Sequence, residues 1–247
     1  MKNKKGKNII LFLLAVFFVG MLVYSLYQGL IIYIPQMQEQ SRFSEIKNMV
    51  DDKKYQDDST SKFDELVRLN GDFAGWLKIK KTKIDYPVVI PRDKDGEYYL
   101  HRDFDRNYSF SGTPYIGSGA DENSDSFIIY AHNMKNGTMF GTLDDYKDED
   151  WAKEHKVVEF ETIEEKRKYC VFAAIQTQVG SEDEYKYYKR TGNLGEKEYE
   201  DFIQEIKAIS LIDLECYPEK KSQILMLSTC SYHTENGRFV VLAYRMN

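Results

Sequence analysis

The sequence predicts a mainly β domain with helices, a closed or nearly closed barrel of about eight strands, preceded by one transmembrane helix. Three observations predict it. Between Phe73 and Arg245, short apolar runs with strand character are separated by loops rich in Asp, Asn, Gly and Ser. One segment, Glu196 to Ile209, interrupts them with Tyr199, Phe202, Ile203 and Ile206 at helical spacing. Ahead of both, no charged residue occurs from Asn8 to Ile34.

Residues 1–7 carry four lysines and no acid. The apolar stretch Ile9 to Ile34 exceeds the roughly 20 residues that cross a bilayer. A cleaved signal peptide has a shorter apolar region, about 7–15 residues, followed by a small-residue cleavage site. Here the run continues through Leu30-Ile31-Ile32-Tyr33-Ile34 with no such site, which favours a retained anchor. The lysines then stay in the cytoplasm and the rest of the chain faces outward. The expected organisation is a basic tail (1–7), an anchor (8–34), helices acting as stalk and packing element (35–69) and a β-barrel domain (70–247). Within the stalk, Phe43, Ile46 and Val50, and then Phe63, Leu66 and Val67, recur at helical spacing. They predict two short helices with a weak point at Asp57-Asp58-Ser59-Thr60-Ser61, and Asn70-Gly71-Asp72 reads as the stop.

The strand-like runs follow in order. They are Trp76 to Ile79, Ile84 to Ile90, Thr113 to Ile116, Ser126 to Ala131, Val157 to Glu161, Lys168 to Thr177, Ser222 to Thr229 and Arg238 to Arg245. About 210 residues beyond the anchor suit one large domain. The 30 basic and 40 acidic residues after Ile34 leave a net charge near −10. That argues against nucleic acid, whose binding relies on Lys and Arg neutralising phosphates.

Cys170, Cys216 and Cys230 are an odd set for an oxidising compartment, so at least one is unpaired. Cys170 and Cys216 are either bridged or, the preferred reading, two buried reduced core thiols. No pair has zinc-site spacing. Cys230 ends the apolar run Leu225-Met226-Leu227-Ser228-Thr229, and Arg238 opens the next, Phe239-Val240-Val241-Leu242-Ala243. His132 follows Ile128-Ile129-Tyr130-Ala131. A thiolate attacks acyl carbonyls, a histidine moves the protons, and an arginine donates hydrogen bonds to an oxyanion. The common alternatives are a core cysteine, a solvated strand-start arginine and another histidine. His101 reads as a loop or packing residue, and His155 as solvated. His233, three residues after Cys230, reads as a weaker competitor to His132. Gly117-Ser118-Gly119 reads as a turn rather than a phosphate loop. Asp144, Asp145, Asp148, Glu149 and Asp150 read as a solvated face rather than a calcium loop.

On these residues the chain resembles the sortases, class B in particular. Met226-Leu227-Ser228-Thr229-Cys230 is similar to that family's T-L-x-T-C motif, Tyr130-Ala131-His132-Asn133-Met134 to its Y-G-H-x-M motif, and Arg238-Phe239-Val240-Val241 to its arginine strand. Gly75-Trp76-Leu77, Ile84 to Val89, Tyr99-Leu100, Thr138-Met139-Phe140, Leu143 and the helix Glu196 to Ile209 also fit class B. Met226 and Ala131 stand where threonine and glycine are usual. The resemblance covers roughly residues 70–247 and implies a membrane-anchored cysteine transpeptidase of Gram-positive bacteria. It implies Cys230, His132 and Arg238 as catalytic residues, with Tyr130 and Ser228 lining the substrate cleft. The implied partners are secreted proteins with a C-terminal sorting signal, cleaved after threonine, and an amine of peptidoglycan or its lipid-linked precursor. The family needs no cofactor, and class B no metal. The loop Gln178 to Asn193 is the expected determinant of the signal. Two other readings stand beside it: an extracellular thiol peptidase that uses the same residues with water as acceptor, and a non-catalytic surface-tethered binding module with a buried Cys230.

Overall fold

The computed structural model describes residues 2–51 and 62–246. The chain divides into two units, one up to Ser44 and one from Glu45 onward. The first is most of helix α1 (Lys2–Asp51), and it is long and apolar enough to cross a membrane. The described large apolar side chains between Ile9 and Ile34 are exposed. An apolar surface running all round a helix suits lipid rather than water. α1 continues through Pro35 to Asp51, so the apolar stretch and the first helix expected after it form one helix. The weak point expected at residues 57–61 lies outside the described residues.

The second unit is built on a closed barrel. Its strands are β1 (Phe73–Ile79), β2 (Asp85–Val89), β3 (Tyr115–Ile116), β4 (Ser126–Tyr130), β5 (Val157–Glu161), β6 (Lys166–Gln178), β7 (Ile224–Ser231) and β8 (Gly237–Arg245). They close in the order β1-β2-β3-β4-β7-β8-β6-β5. All eight expected strands form, with ends shifted by a few residues. Closure removes the unpaired edges of an open sheet. β2 with β3 and β4 with β7 run parallel, and the other neighbours antiparallel.

Two buried clusters flank the barrel wall. In one, the last two turns of α1 (Ile46, Val50) and α2 (Asp64–Leu69, through Leu66) meet Phe63, Phe73, Trp76, Val89, Tyr99 and Phe104. The end of α1 and α2, within the segment expected as stalk and packing element, thus pack with the barrel. In the other, α4 (Glu196–Ile209) buries Tyr199, Phe202, Ile203 and Ile206 among Phe172, Ile175, Met226 and Leu242. Its acids Glu196 and Glu198 sit in the first turn and Lys207 in the last, which suits the helix dipole. The chain leaves α4 extended, and Leu211 N–H donates to the Ala174 carbonyl of β6 at 2.8 Å.

Two expectations change here. His155 is not solvated. It ends the short helix α3 (Glu149–Glu154), its ring stacks on Trp151 at 3.8 Å between centroids, and it is buried. The helical turn folds the apolar Trp151 back over it, so the surrounding charges do not predict its exposure. Cys170 is buried as expected, but Cys216 is only half-buried. Asp148 of the acidic cluster caps α3, its carboxylate accepting from Trp151 N–H at 2.9 Å.

Candidate active site

The parallel pairing of β4 with β7 positions the site. Tyr130 lies opposite Ser228 in register. Side chains alternate along extended chain, so the residues two further on, His132 and Cys230, emerge at the same barrel end. The pairing continues past β4: Ala131 N–H donates to the Ser228 carbonyl at 3.3 Å, and Thr229 Oγ1 donates to the Ala131 carbonyl at 2.7 Å. Antiparallel β8 then places Arg238 directly opposite Cys230. The turn between them needs Asn236 in the left-handed region (φ 54°) and a glycine at 237, where a Cβ would come within 2.5 Å of the Ser231 carbonyl.

Cys230, His132 and Arg238 line one cavity of about 450 Å³, together with Glu97, Tyr115 and Tyr187. Cys230 is exposed to it. His132 is half-buried, and its Nε2 lies 2.9 Å from the Leu100 carbonyl. A carbonyl only accepts, so Nε2 carries the hydrogen and the neutral ring keeps Nδ1 free of one. Burial is the main influence that holds the His132 pKa below 6.5; the Leu100 hydrogen bond opposes it, and His101 adds to it. The two histidine rings lie 5.3 Å apart. Arg238 Nη1 donates to the carbonyls of Gly237 (3.0 Å) and Asn236 (3.3 Å).

Ser228 and Tyr187 form the cleft floor. Both are buried, with their hydroxyls 2.8 Å apart. Tyr130 is half-buried, its ring tilted against Tyr115 at 5.7 Å. The hydroxyl pKa of Tyr115 is raised by burial first, then by Glu97 and Cys230, while Arg238 lowers it. From the expected specificity loop, Val179, Tyr187, Tyr188 and Thr191 line the cavity.

Sequence reasoning gave no role to three residues here. The Leu100 carbonyl, in a 3-10 turn (Tyr98–His101), fixes the His132 tautomer. His101, read as loop or packing, lies against His132. Asn133 joins the two strand ends, its Nδ2 donating to the Cys230 carbonyl at 2.9 Å. Leu100 and Asn133 lay in stretches that fit the class B motifs, and His101 had no such signal. His233, the sequence competitor to His132, hydrogen-bonds Ser231 instead, Nδ1 to Oγ at 2.8 Å.

This barrel, with a cysteine and an arginine paired across two strand ends and a histidine beside them, has the architecture of a cysteine transpeptidase. The sortase domain family matches residues 77–246, and the chain belongs to that family. Its curated relatives include Sortase B of Staphylococcus aureus, 29% identical over 217 residues, covering 85% of this chain and 86% of the relative. Sortase B of Listeria monocytogenes is 32% identical over 184 residues, 72% of this chain and 71% of the relative. Among solved structures, the Staphylococcus aureus sortase B–substrate complex superposes with a TM-score of 0.76 at 26% identity, covering 87% of this chain and 99% of that one. Clostridium perfringens sortase B gives 0.66 at 29% identity, covering 74% and 98%. Within the family the chain is a class B sortase, and its enzymatic class is cysteine transpeptidase.

Proposed function

We propose that Cys230, His132 and Arg238 carry the transpeptidation and that its substrate is a C-terminal sorting signal cleaved after threonine. One observation carries this reading: Cys230 faces Arg238 in register, beside His132, in a single cleft. His132 Nδ1 takes the Cys230 proton, and the thiolate attacks the threonine carbonyl. Negative charge develops on the carbonyl oxygen, where the Arg238 guanidinium stabilises it. Collapse breaks the C–N bond as His132 returns its proton to the leaving amine, and a thioester on Cys230 remains. An incoming amine loses a proton to Nδ1 and displaces the thiol, forming a new amide. Tyr130 and Ser228 line the substrate's path.

The acceptor is an amine of peptidoglycan or its lipid-linked precursor. A sortase B has been solved in complex with triglycine, which makes that peptide a natural first acceptor to offer. The apolar helix fits a single-pass anchor in the cell membrane, with the lysine tail cytoplasmic and the barrel outside. The proposed organisation is the tail (1–7), the anchor (8–34), the stalk and packing helices (35–69) and the catalytic barrel (70–247).

Mass spectrometry of the chain with threonine-containing sorting peptides and an amine tests the reading. A thioester on Cys230 and an amide-linked product are expected, and both vanish in Cys230→Ala. Free acid alone, with acceptor present, would favour a thiol peptidase. Turnover by Cys230→Ala would overturn the assignment of the nucleophile.

A further inference from the structure

Two of the three thiols have no part in that chemistry. Cys170 lies in β6, opposite Tyr244 of β8 and Val157 of β5. Cys216 lies between α4 and β7, 46 residues further along the chain. Their sulfurs are 2.8 Å apart. That is roughly 0.8 Å beyond a disulfide bond, so the strand and the loop already bring the pair almost to bonding distance. Cys216 also lies 3.2 Å from the Tyr244 hydroxyl. It lines an open groove of about 600 Å³ with Tyr217, Tyr244 and Arg245, so a small reagent reaches it. Just before it, Glu215 occupies the left-handed region (φ 50°), a conformation the surroundings must hold in place. Cys230 is not in this groove; it lines the active cleft.

We propose that Cys170 and Cys216 form a disulfide that staples the segment after α4 to β6, with a low-molecular-weight disulfide or a thiol–disulfide oxidoreductase as oxidant. The Cys216 thiolate attacks the reagent's S–S bond, giving a mixed disulfide and releasing one thiol. Cys170 then gives up its proton and displaces the second thiol, closing the protein S–S bond. The two cysteines lose two electrons and two protons, and the reagent disulfide is reduced to two thiols. Burial first, then the neighbouring Cys216, pushes the Cys170 thiol up to about 12, which makes Cys216 the point of entry. The closed loop contains α4 and the cleft residues Val179, Tyr187, Tyr188 and Thr191, so the bond restrains one wall of the active cleft. It leaves Cys230 as the sole free thiol, which suits an enzyme working in an oxidising compartment.

The test uses the full chain in detergent micelles with Cys230→Ala, so that no third thiol reacts. After oxidised glutathione, peptide mapping is expected to give one Cys170–Cys216 cross-linked pair and an intact mass lower by two hydrogens. The unfolding midpoint is expected about 5–15 °C above that of the dithiothreitol-treated sample, the gain for a loop of this length. In the same chain with Cys216→Ser the difference disappears. If that variant does not fold, the oxidised-against-reduced comparison stands on its own. A dithiol that persists under oxidant, glutathione retained on Cys216, or a cross-link that leaves the midpoint unchanged would overturn the proposal. None of these readouts depends on the orientation of the anchor.

Discussion

Replacing Tyr99 by phenylalanine removes one buried oxygen and tests how His132, the proposed catalytic histidine, is braced. Tyr99 is fully buried in the 3-10 turn whose next residue, Leu100, holds His132 Nε2. Its hydroxyl donates to Asp72 Oδ2 at 2.6 Å and accepts from Asn70 Nδ2 at 3.0 Å. Burial first, then Asp72, raises its pKa to about 12, so it is a neutral donor at physiological pH. A hydrogen bond to a charged group contributes about 1.5–3 kcal/mol and a neutral one about 0.5–1.5 kcal/mol. Asp72 keeps Lys94 at 2.6 Å and Asn70 keeps the Phe104 carbonyl at 2.9 Å, so neither partner is left bare. The expected loss is therefore about 2–4 kcal/mol, or on the order of 5–15 °C in the unfolding midpoint. Burial alone would raise the Asp72 pKa, but Lys94 and Tyr99 outweigh it and hold it below 3.8. That stabilisation is present above about pH 4 and is lost as pH falls through the folded value, so the variant's deficit should shrink in acid. Urea unfolding at neutral and low pH, with transpeptidation assayed where both proteins are folded, reads all of this. Tyr98→Phe is the control, and a change within about 0.5 kcal/mol is expected there. A Tyr99→Phe protein as stable as its parent, or no more affected than the control, would refute the reasoning.

Three further outcomes follow from the cleft. His101→Gln removes a positive neighbour of His132 when protonated, so the His132 pKa should rise toward 6.5, read by NMR titration of the ring proton; a fall would contradict the geometry. Because the folded value lies below 6.5, the contribution of His132 to stability is complete above that pH and is lost as pH falls toward the folded value. Arg238→Lys keeps the charge but loses the guanidinium fork, and kcat should fall by roughly 10²–10³-fold with the thermal midpoint little changed; near-normal kcat would remove Arg238 from the oxyanion role. Gly117→Ala would bring a Cβ within 2.5 Å of Tyr130 Cε2, so that ring must shift in the cleft, and KM should rise several-fold; an unchanged KM would separate Tyr130 from substrate.

Much of the fold was legible because its signals are local. The apolar runs of β6, β7 and β8 and the spacing of Tyr199, Phe202, Ile203 and Ile206 each lie within one element, where the local pattern reports what is buried. His155 misled because its environment is set by one aromatic neighbour a helical turn away rather than by the charges around it. The candidate cysteine, histidine and arginine were visible as residues at run ends and became a constellation only through the family motif.

The sequence by itself determined the chemistry that is present and the side of each element that is buried. Composition and local period are properties of short stretches of chain. What meets what was decided by tertiary structure. Parallel pairing of β4 with β7 brings Asn133 to the Cys230 carbonyl across 97 residues. The Leu100 carbonyl chooses the His132 tautomer across 32 residues, and Cys216 comes to Cys170 across 46. These partners are selected by closure of the whole barrel, where every strand must find two neighbours at once, and no local pattern carries that information.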